Sequence, residues 1–401
     1  MKTFVFLTNQ YLPKPGATGM CVHAIAREMA CRGHESTVIC YEDTYRDALI
    51  DGVKVIKIPV PAFISSTVIS RRSQLASRIS KLIHLFHYPL RSNRLVRHYV
   101  SAVKKCIKGK SEVTLIASYT PLEAVVAVQR IKQKYPHIKT VYYSTDSLSN
   151  EQGTSGILSA GHREKCGYQW ERKLFPWFDK ILIMECHQDH YFAERYGSFR
   201  DKMELVNFPL IIQPASIEQE PIQKRDKEIK TLVYAGTLYR RLRNPQYTCE
   251  LITDVSKELD LQASFLSCGD CEDILAAAVQ ASDGAICALG MQPHSVAMQY
   301  IASADVLLSI GNAESPMAPS KIYEYMSSGK PIVHIYTEEK DPCLEPLRKY
   351  GNALLIKENE ADAVERLAAF LRSPRSLRFG QVEEKFMTST PRYSADIIEK
   401  L

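Results

Sequence analysis

Apolar positions along the chain fall into two repeating patterns. Short runs rich in Val, Ile, Leu and Phe recur at Lys2–Thr8, Thr37–Cys40, Val53–Ile58, Val113–Ala117, Lys139–Tyr143, Lys180–Met184 and Met203–Asn207. Such runs predict strands of a parallel sheet buried on both faces. Between them the period lengthens. Val22, Ile25, Ala26 and Met29 form one stripe of a helix expected to start at Gly19 and close at Gly33–His34. Thr120-Pro121-Leu122-Glu123 predicts a second helix opened by a capping box, with proline at its first position. A further helix is expected over His187–Tyr196.

The same alternation resumes after residue 230. Thr231–Gly236, Gln262–Gly269, Asp305–Ile310, Pro331–Tyr336 and Asn352–Ile356 predict strands, separated by helical stretches around Ile274, Val296, Ile322 and Leu344. Asn244 and Pro245 open a helix expected to run to about Leu259. Between the two halves, Ile211–Lys230 carries Pro214, Pro221 and charges without a period, as an interdomain linker does. A chain of 401 residues exceeds what one core usually covers. The expected organisation is an α/β chain with domains over 1–207 and 231–390, a linker over 208–230, and a terminal helix within 391–401 that packs back on the first domain.

Composition narrows the class. With 45% hydrophobic and 24% charged residues, the chain matches an ordinary globular protein rather than a disordered or membrane-embedded one. It holds no apolar run of about 18 residues, and Met1-Lys2 leads into a strand without a signal-peptide pattern, so a cytoplasmic location is expected. Eleven cysteines, an odd number scattered through the chain, suit reduced thiols. The net charge of +6 hides an asymmetry: Gly52–Ser111 contains no acid, and its Lys and Arg leave the remainder of the chain acidic. Within it, Ile69, Leu75, Ile79, Leu82, Ile83 and Phe86 recur at roughly helical intervals, accompanied by Arg71, Arg72, Arg78, Lys81, Arg91, Arg94 and Arg97. Residues 69–110 therefore suit an anionic membrane surface, with a plain solvated helical face as the alternative. No nucleic-acid motif accompanies the charge, and nucleic acid is not expected as a partner.

The candidate chemistry centres on Pro319–Val333, PSKIYEYMSSGKPIV. Ser320 suits an N-cap, Gly329 a left-handed stop, and Pro331 precedes a strand. Lys321 and Glu324 share one face of the short helix between them. Glu324 falls one residue too late to complete a capping box, so it is available to a ligand. A helix N-terminus with an added lysine describes a phosphate site, and a carboxylate one turn on can take sugar hydroxyls. A local Lys–Glu pair is the competing account. Gly19 lets a ligand approach the backbone, although its loop lacks the G-x-G-x-x-G fingerprint. Asp146 follows a strand at the end where open α/β sheets bind ligands, with a plain cap as the competing account. Arg240, Arg241 and Arg243 sit in a loop after another strand, where they suit a diphosphate clamp, with plain surface arginines as the alternative. Cys268/Cys271 and His187/His190 each lack the second pair a zinc site needs, so no metal is expected. P-loop, G-x-S-x-G and D-x-D patterns are absent.

Tyr234-Ala235-Gly236-Thr237-Leu238, Ser267-Cys268-Gly269-Asp270, Ala304–Ser309 and the 319–332 stretch together resemble the GT-B glycosyltransferases, most closely the retaining family-four type that builds bacterial polysaccharides. The opening with Gly19 and Arg32-Gly33-His34 is similar to that family's acceptor-domain signature. The resemblance implies two Rossmann-like domains facing a central cleft, the first for acceptor and the second for nucleotide sugar. It implies transfer of a sugar from a nucleotide diphosphate sugar to a saccharide or lipid-linked saccharide in capsule or O-antigen biosynthesis, with retention and with neither metal nor cofactor. Gly236, Thr237, Asn312, Pro319, Ser320 and Glu324 would bind the donor, with Glu324 on the ribose hydroxyls. Lys321 and Arg243 would stabilise the leaving diphosphate, and Asp146 would orient sugar or acceptor. Two departures stand out. Pro316 replaces a usual glutamate, leaving Glu314 or Asn312 to substitute. Thr237 follows Gly236 where an Arg and Lys pair is usual, so the basic role passes to Arg243, with Arg240 second. An epimerase on the same fold, or a catalytically silent binding subunit, remains open.

Overall fold

The computed structural model describes residues 1–12, 16–42, 47–59, 88–89, 91–150, 159–214, 229–312 and 321–401. The chain divides into two units, Met1–Leu210 with Thr388–Leu401, and Ile211–Met387.

The first unit is built on an eight-stranded sheet. Its strands are β1 (Thr3–Leu7), β2 (Glu35–Glu42), β3 (Ala48–Ile50), β4 (Val53–Pro59), β5 (Val113–Tyr119), β6 (Lys139–Ser144), β7 (Lys180–Met184) and β8 (Met203–Val206), in the order β3-β4-β2-β1-β5-β6-β7-β8. All pairings are parallel except β3 with β4. Every residue of β1 and β5 is buried, because helices cover both faces. Those helices include α1 (Ala17–Cys31), α2 (Asn93–Ile107), α3 (Leu122–Lys134) and α4 (Ala160–Leu174).

Two helix starts differ from expectation. α1 begins at Ala17, two residues before Gly19, capped by Gly16 in an extended conformation without a side-chain bond. The expected capping box at Thr120 does not form: Pro121 caps α3 without a side-chain bond. Glu123 instead accepts the backbone N–H of Ser92 at 2.6 Å, serving the start of α2, while Thr120 Oγ1 accepts from Asn9. The stretch expected as one helix over His187–Tyr196 is a four-residue helix, Gln188–Tyr191, flanked by 3-10 turns.

The second unit is a six-stranded, wholly parallel sheet of β9 (Lys230–Leu238), β10 (Leu261–Gly269), β11 (Ile286–Ala288), β12 (Val306–Ile310), β13 (Ile332–Tyr336) and β14 (Ala353–Lys357). The order is β11-β10-β9-β12-β13-β14. Numbered within the unit this is 3-2-1-4-5-6, the doubly wound Rossmann order. Its helices are α5 (Gln246–Val255), α6 (Glu272–Ala281), α7 (His294–Ser303), α8 (Lys321–Ser327), α9 (Leu344–Tyr350), α10 (Ala363–Arg372) and α11 (Phe379–Lys385). The expected run of α5 to Leu259 stops at Val255.

The chain then returns to the first unit through α12 (Pro391–Glu399), capped by Thr390, whose hydroxyl accepts from Tyr393 N. α12 fastens to α1 and β1 by charge: Arg32 Nη1 lies 2.7 Å from both Asp396 and Glu399, His34 Nε2 is 2.9 Å from Glu399, and Lys2 Nζ donates to the Glu399 carbonyl at 2.6 Å. Among the described residues no helix is long and apolar enough to cross a membrane.

Candidate functional site

In a doubly wound sheet, ligands bind beyond the carboxyl ends of the strands where the order reverses. In the second unit that point lies between β9 and β12. The two strands pair only through Val306↔Leu232 and Leu307↔Val233, leaving their ends apart. Tyr325 of α8 enters that gap, its buried hydroxyl accepting the N–H of Ala235 at 2.7 Å. α8 buries Ile322, Tyr323, Tyr325 and Met326, and Gly329, left-handed at φ 71°, follows its end. The helix is thereby fixed with its first turn over the strand ends.

β9 leaves the sheet in a tight turn, in which Arg243 N donates to the Tyr239 carbonyl at 2.7 Å. This turn folds the Arg243 side chain back over the strand end. Its Nε donates to Asn312 Oδ1 and its Nη1 to the Thr237 carbonyl at 3.3 Å. Tyr234 donates to the same carbonyl at 3.1 Å. Burial pushes the Tyr234 phenol up to about 12, with Arg243 pulling the other way, so the phenol stays neutral. β10 ends flush against β9 because Gly269, at φ 133°, has no Cβ; one added there would lie 1.7 Å from the Leu238 carbonyl oxygen.

Lys321 and Glu324 pair with each other, Nζ to Oε2 at 2.7 Å, and both retain some exposure. Together with Tyr234, Gly236, Arg243, Ser309 and Tyr325, Lys321 lines a small hollow. The structure thus brings Gly236, Thr237, Arg243, Asn312, Lys321 and Glu324 to one end of one sheet. It does not bring Arg240 there. The guanidinium of Arg240 is bound to Asp273 at 2.6 and 2.7 Å on the exposed side of the loop, and its N–H donates to Asp270. Pro319 and Ser320 lie outside the described residues, as do Glu314 and Pro316. Tyr234 and Tyr325 organise the site yet read in sequence as members of apolar runs. A hydroxyl at the strand-end position was the available signal.

In the first unit the order reverses between β1 and β5, and hydroxyls gather at that end. Asn9 Nδ2 donates to Thr120 Oγ1 at 3.2 Å, Thr18 and Thr145 hydroxyls are 2.9 Å apart, and Thr145 donates to the Tyr119 carbonyl at 3.3 Å. Gly19 lies buried in the first turn of α1 beside Thr18. Asp146 follows Thr145 in the loop after β6, and its carbonyl accepts from Ser144 Oγ at 2.5 Å. The rest of that loop rests on a buried acid. Glu171 of α4 accepts from Tyr191 at 2.7 Å and Tyr196 at 2.5 Å, and these phenols in turn contact Ser147 at 2.9 Å and Ser149 at 2.7 Å. Burial pushes the Glu171 carboxyl up, while the Ser149 and tyrosine hydrogen bonds pull it back. The arrangement offers a polar shelf of hydroxyls, an amide and one carboxylate, suited to a polyhydroxylated ligand.

Residues 229–373 match the family Glycosyl transferases group 1. No curated protein matches the chain in sequence. In fold the chain is similar to an α,α-trehalose-phosphate synthase (UDP-forming) from Burkholderia vietnamiensis, with TM-score 0.58, 10% identity and 100% of each chain covered. It is similar to trehalose-6-phosphate from E. coli bound with UDP-2-fluoro glucose, with TM-score 0.55, 10% identity, and 100% of this chain and 96% of that one covered. It also resembles Anabaena Alr3699/HepE in complex with UDP and glucose, with TM-score 0.53, 16% identity, and 100% and 95% covered. Residues 229–373 therefore match the group 1 glycosyltransferases, and the chain as a whole shares the two-domain GT-B fold of these solved structures.

Proposed function

We propose that the protein transfers a sugar from a nucleotide diphosphate sugar to a saccharide or lipid-linked saccharide, with retention of configuration, in the assembly of a bacterial surface polysaccharide. The observation that carries this is the meeting of Arg243, Asn312, Gly236 and Lys321 at the switch point of the second sheet, inside the region that matches the family. Arg243 and Lys321 offer two cations where a leaving diphosphate gathers charge, which stabilises the transition state more than the ground state. No metal is then required for that role. Glu324, paired with Lys321 in the first turn of α8, takes the ribose hydroxyls in this reading. Two of the similar structures hold UDP or a UDP sugar, so uridine nucleotides head the candidate donors.

In the reaction the bond from the anomeric carbon to the diphosphate oxygen breaks, and its electron pair leaves with the diphosphate. The acceptor hydroxyl oxygen bonds to the same face of that carbon, and its proton passes to a leaving phosphate oxygen. Asp146, on the hydroxyl-rich shelf of the first unit, orients sugar or acceptor. A lipid-linked acceptor places the reaction at the inner face of a membrane. The part of the basic region within the described residues supports this: α2 buries Leu95, Val96, Tyr99 and Val103 and exposes Arg94, Arg97, Lys104 and Lys105, with Lys108 exposed directly after it. Residues 69–87 of that region lie outside the described residues.

Labelled nucleotide sugars incubated with purified protein and a bacterial glycolipid extract test the proposal. Label should pass to the extract, and Asp146→Asn should slow transfer while leaving donor affinity unchanged. A sugar nucleotide isomerised without acceptor would point to an epimerase instead.

A further inference from the structure

One strand outward from the proposed donor site, three side chains of different chemistry converge inside the second unit. His334 lies in β13, Asp341 in the turn that follows, and Cys343 directly before α9; all three are buried. Their ligand atoms, an imidazole nitrogen, a carboxylate oxygen and a sulfur, lie within 4.8 Å of one another.

The details favour coordination over hydrogen bonding. His334 Nδ1 is held by Ser309 Oγ at 2.9 Å, which aims Nε2 at Asp341 Oδ2, 3.5 Å away. That distance lies beyond the usual N–H···O range of about 2.7–3.2 Å. Nε2 is fully buried with no hydrogen-bond partner. Two ligands of one tetrahedral zinc, each about 2.0 Å from the ion, stand about 3.3 Å apart. The observed gap is thus near what a shared ion requires. The second atoms of these groups are already held, as outer partners of metal ligands usually are. Nδ1 is on Ser309, and Asp341 Oδ1 accepts the Cys343 N–H at 2.7 Å. The carboxylate also has space made for it: a Cβ on Gly311 would come within 2.0 Å of Asp341 Oδ2.

We propose that His334 Nε2, the Asp341 carboxylate and Cys343 Sγ bind one zinc ion that ties the turn after β13 back to β13 itself. An N, O and S donor set suits zinc among the common divalent ions. Binding displaces the Cys343 thiol proton to solvent, and water takes the fourth position. No step of the transfer passes through the ion, and the proposal stands whether or not the donor site is correctly assigned.

Full-length protein purified without chelator should carry about one zinc per chain by elemental analysis. Replacing zinc with cobalt should give a thiolate-to-cobalt charge-transfer band and the visible bands of a tetrahedral site. Cys343→Ser should lose the charge-transfer band, His334→Gln should lose most of the metal, and Cys268→Ser, outside the cluster, should keep both. Metal-free protein whose spectrum does not change on cobalt titration would overturn the proposal. So would a cobalt band that survives in Cys343→Ser.

Discussion

Arg243 acts through shape as well as charge. Its guanidinium reaches Asn312 with one nitrogen and the Thr237 carbonyl with another, a fork that lysine cannot copy. Arg243→Lys should therefore weaken nucleotide-sugar binding about tenfold although the charge is kept, and calorimetric titration measures this. An unchanged Kd would move the diphosphate contact elsewhere. Lys321→Ala removes a charged contact worth about 1.5–3 kcal/mol, so Kd should rise by roughly tenfold or more. Glu324→Gln should weaken a nucleoside diphosphate and leave inorganic pyrophosphate unaffected, because only the former has a ribose. His190 gives a pH signature. Burial, then Arg195, pushes its imidazole down to about 4, so the unfolded chain binds its proton more readily than the folded one. Its stability contribution is full above the unfolded value of about 6.5 and is lost as pH falls toward 4. The melting temperature should fall over that window, and less steeply in His190→Gln. At this scale the sequence pointed to Arg243 through its loop after a strand, to Lys321 through its place at a helix start, and to Asn312 only through the family resemblance. It pointed second to Arg240, which the direction of the turn sends to Asp273.

Elements hold these residues through a few close approaches. Gly269→Ala would set a Cβ 1.7 Å from the Leu238 carbonyl and strain a φ of 133°, so unfolding in urea should show a loss of about 2 kcal/mol or more. Tyr325→Phe leaves the Ala235 N–H buried and unpaired, a cost of about 1–3 kcal/mol. The same change frees α8 at the strand gap and should also weaken donor binding. Neutralising Arg94, Arg97, Lys104 and Lys105 on α2 should abolish binding to anionic vesicles, at about 1 kcal/mol per residue, without changing the melting curve. Strands of both sheets were readable because burial on two faces leaves continuous apolar runs. α4 was not, since its inward residues are Gly167, Glu171 and Leu174 and it shows no apolar stripe. β3 and β11, three residues each, are too short to carry a period. The capping box at Thr120 failed because Glu123 found a better partner in the start of α2.

At the scale of the molecule, the same reversal of strand order occurs twice, and each reversal collects the polar groups of its unit: hydroxyls and Asp146 in the first, cations and Asn312 in the second. That division suits acceptor and donor. The alternation of strand and helix made a pair of parallel sheets readable from sequence. The positions of the switch points were not, because strand order depends on pairings between residues far apart in the chain. The central claim is that the second switch point binds a nucleotide diphosphate sugar, and thermal unfolding with a panel of UDP, GDP and other nucleotide sugars tests it most directly, since a ligand of the folded state raises the melting temperature. The account predicts stabilisation by one donor class in the native protein and its loss in both Lys321→Ala and Arg243→Lys. Stabilisation by no donor, or stabilisation untouched by either substitution, would contradict it.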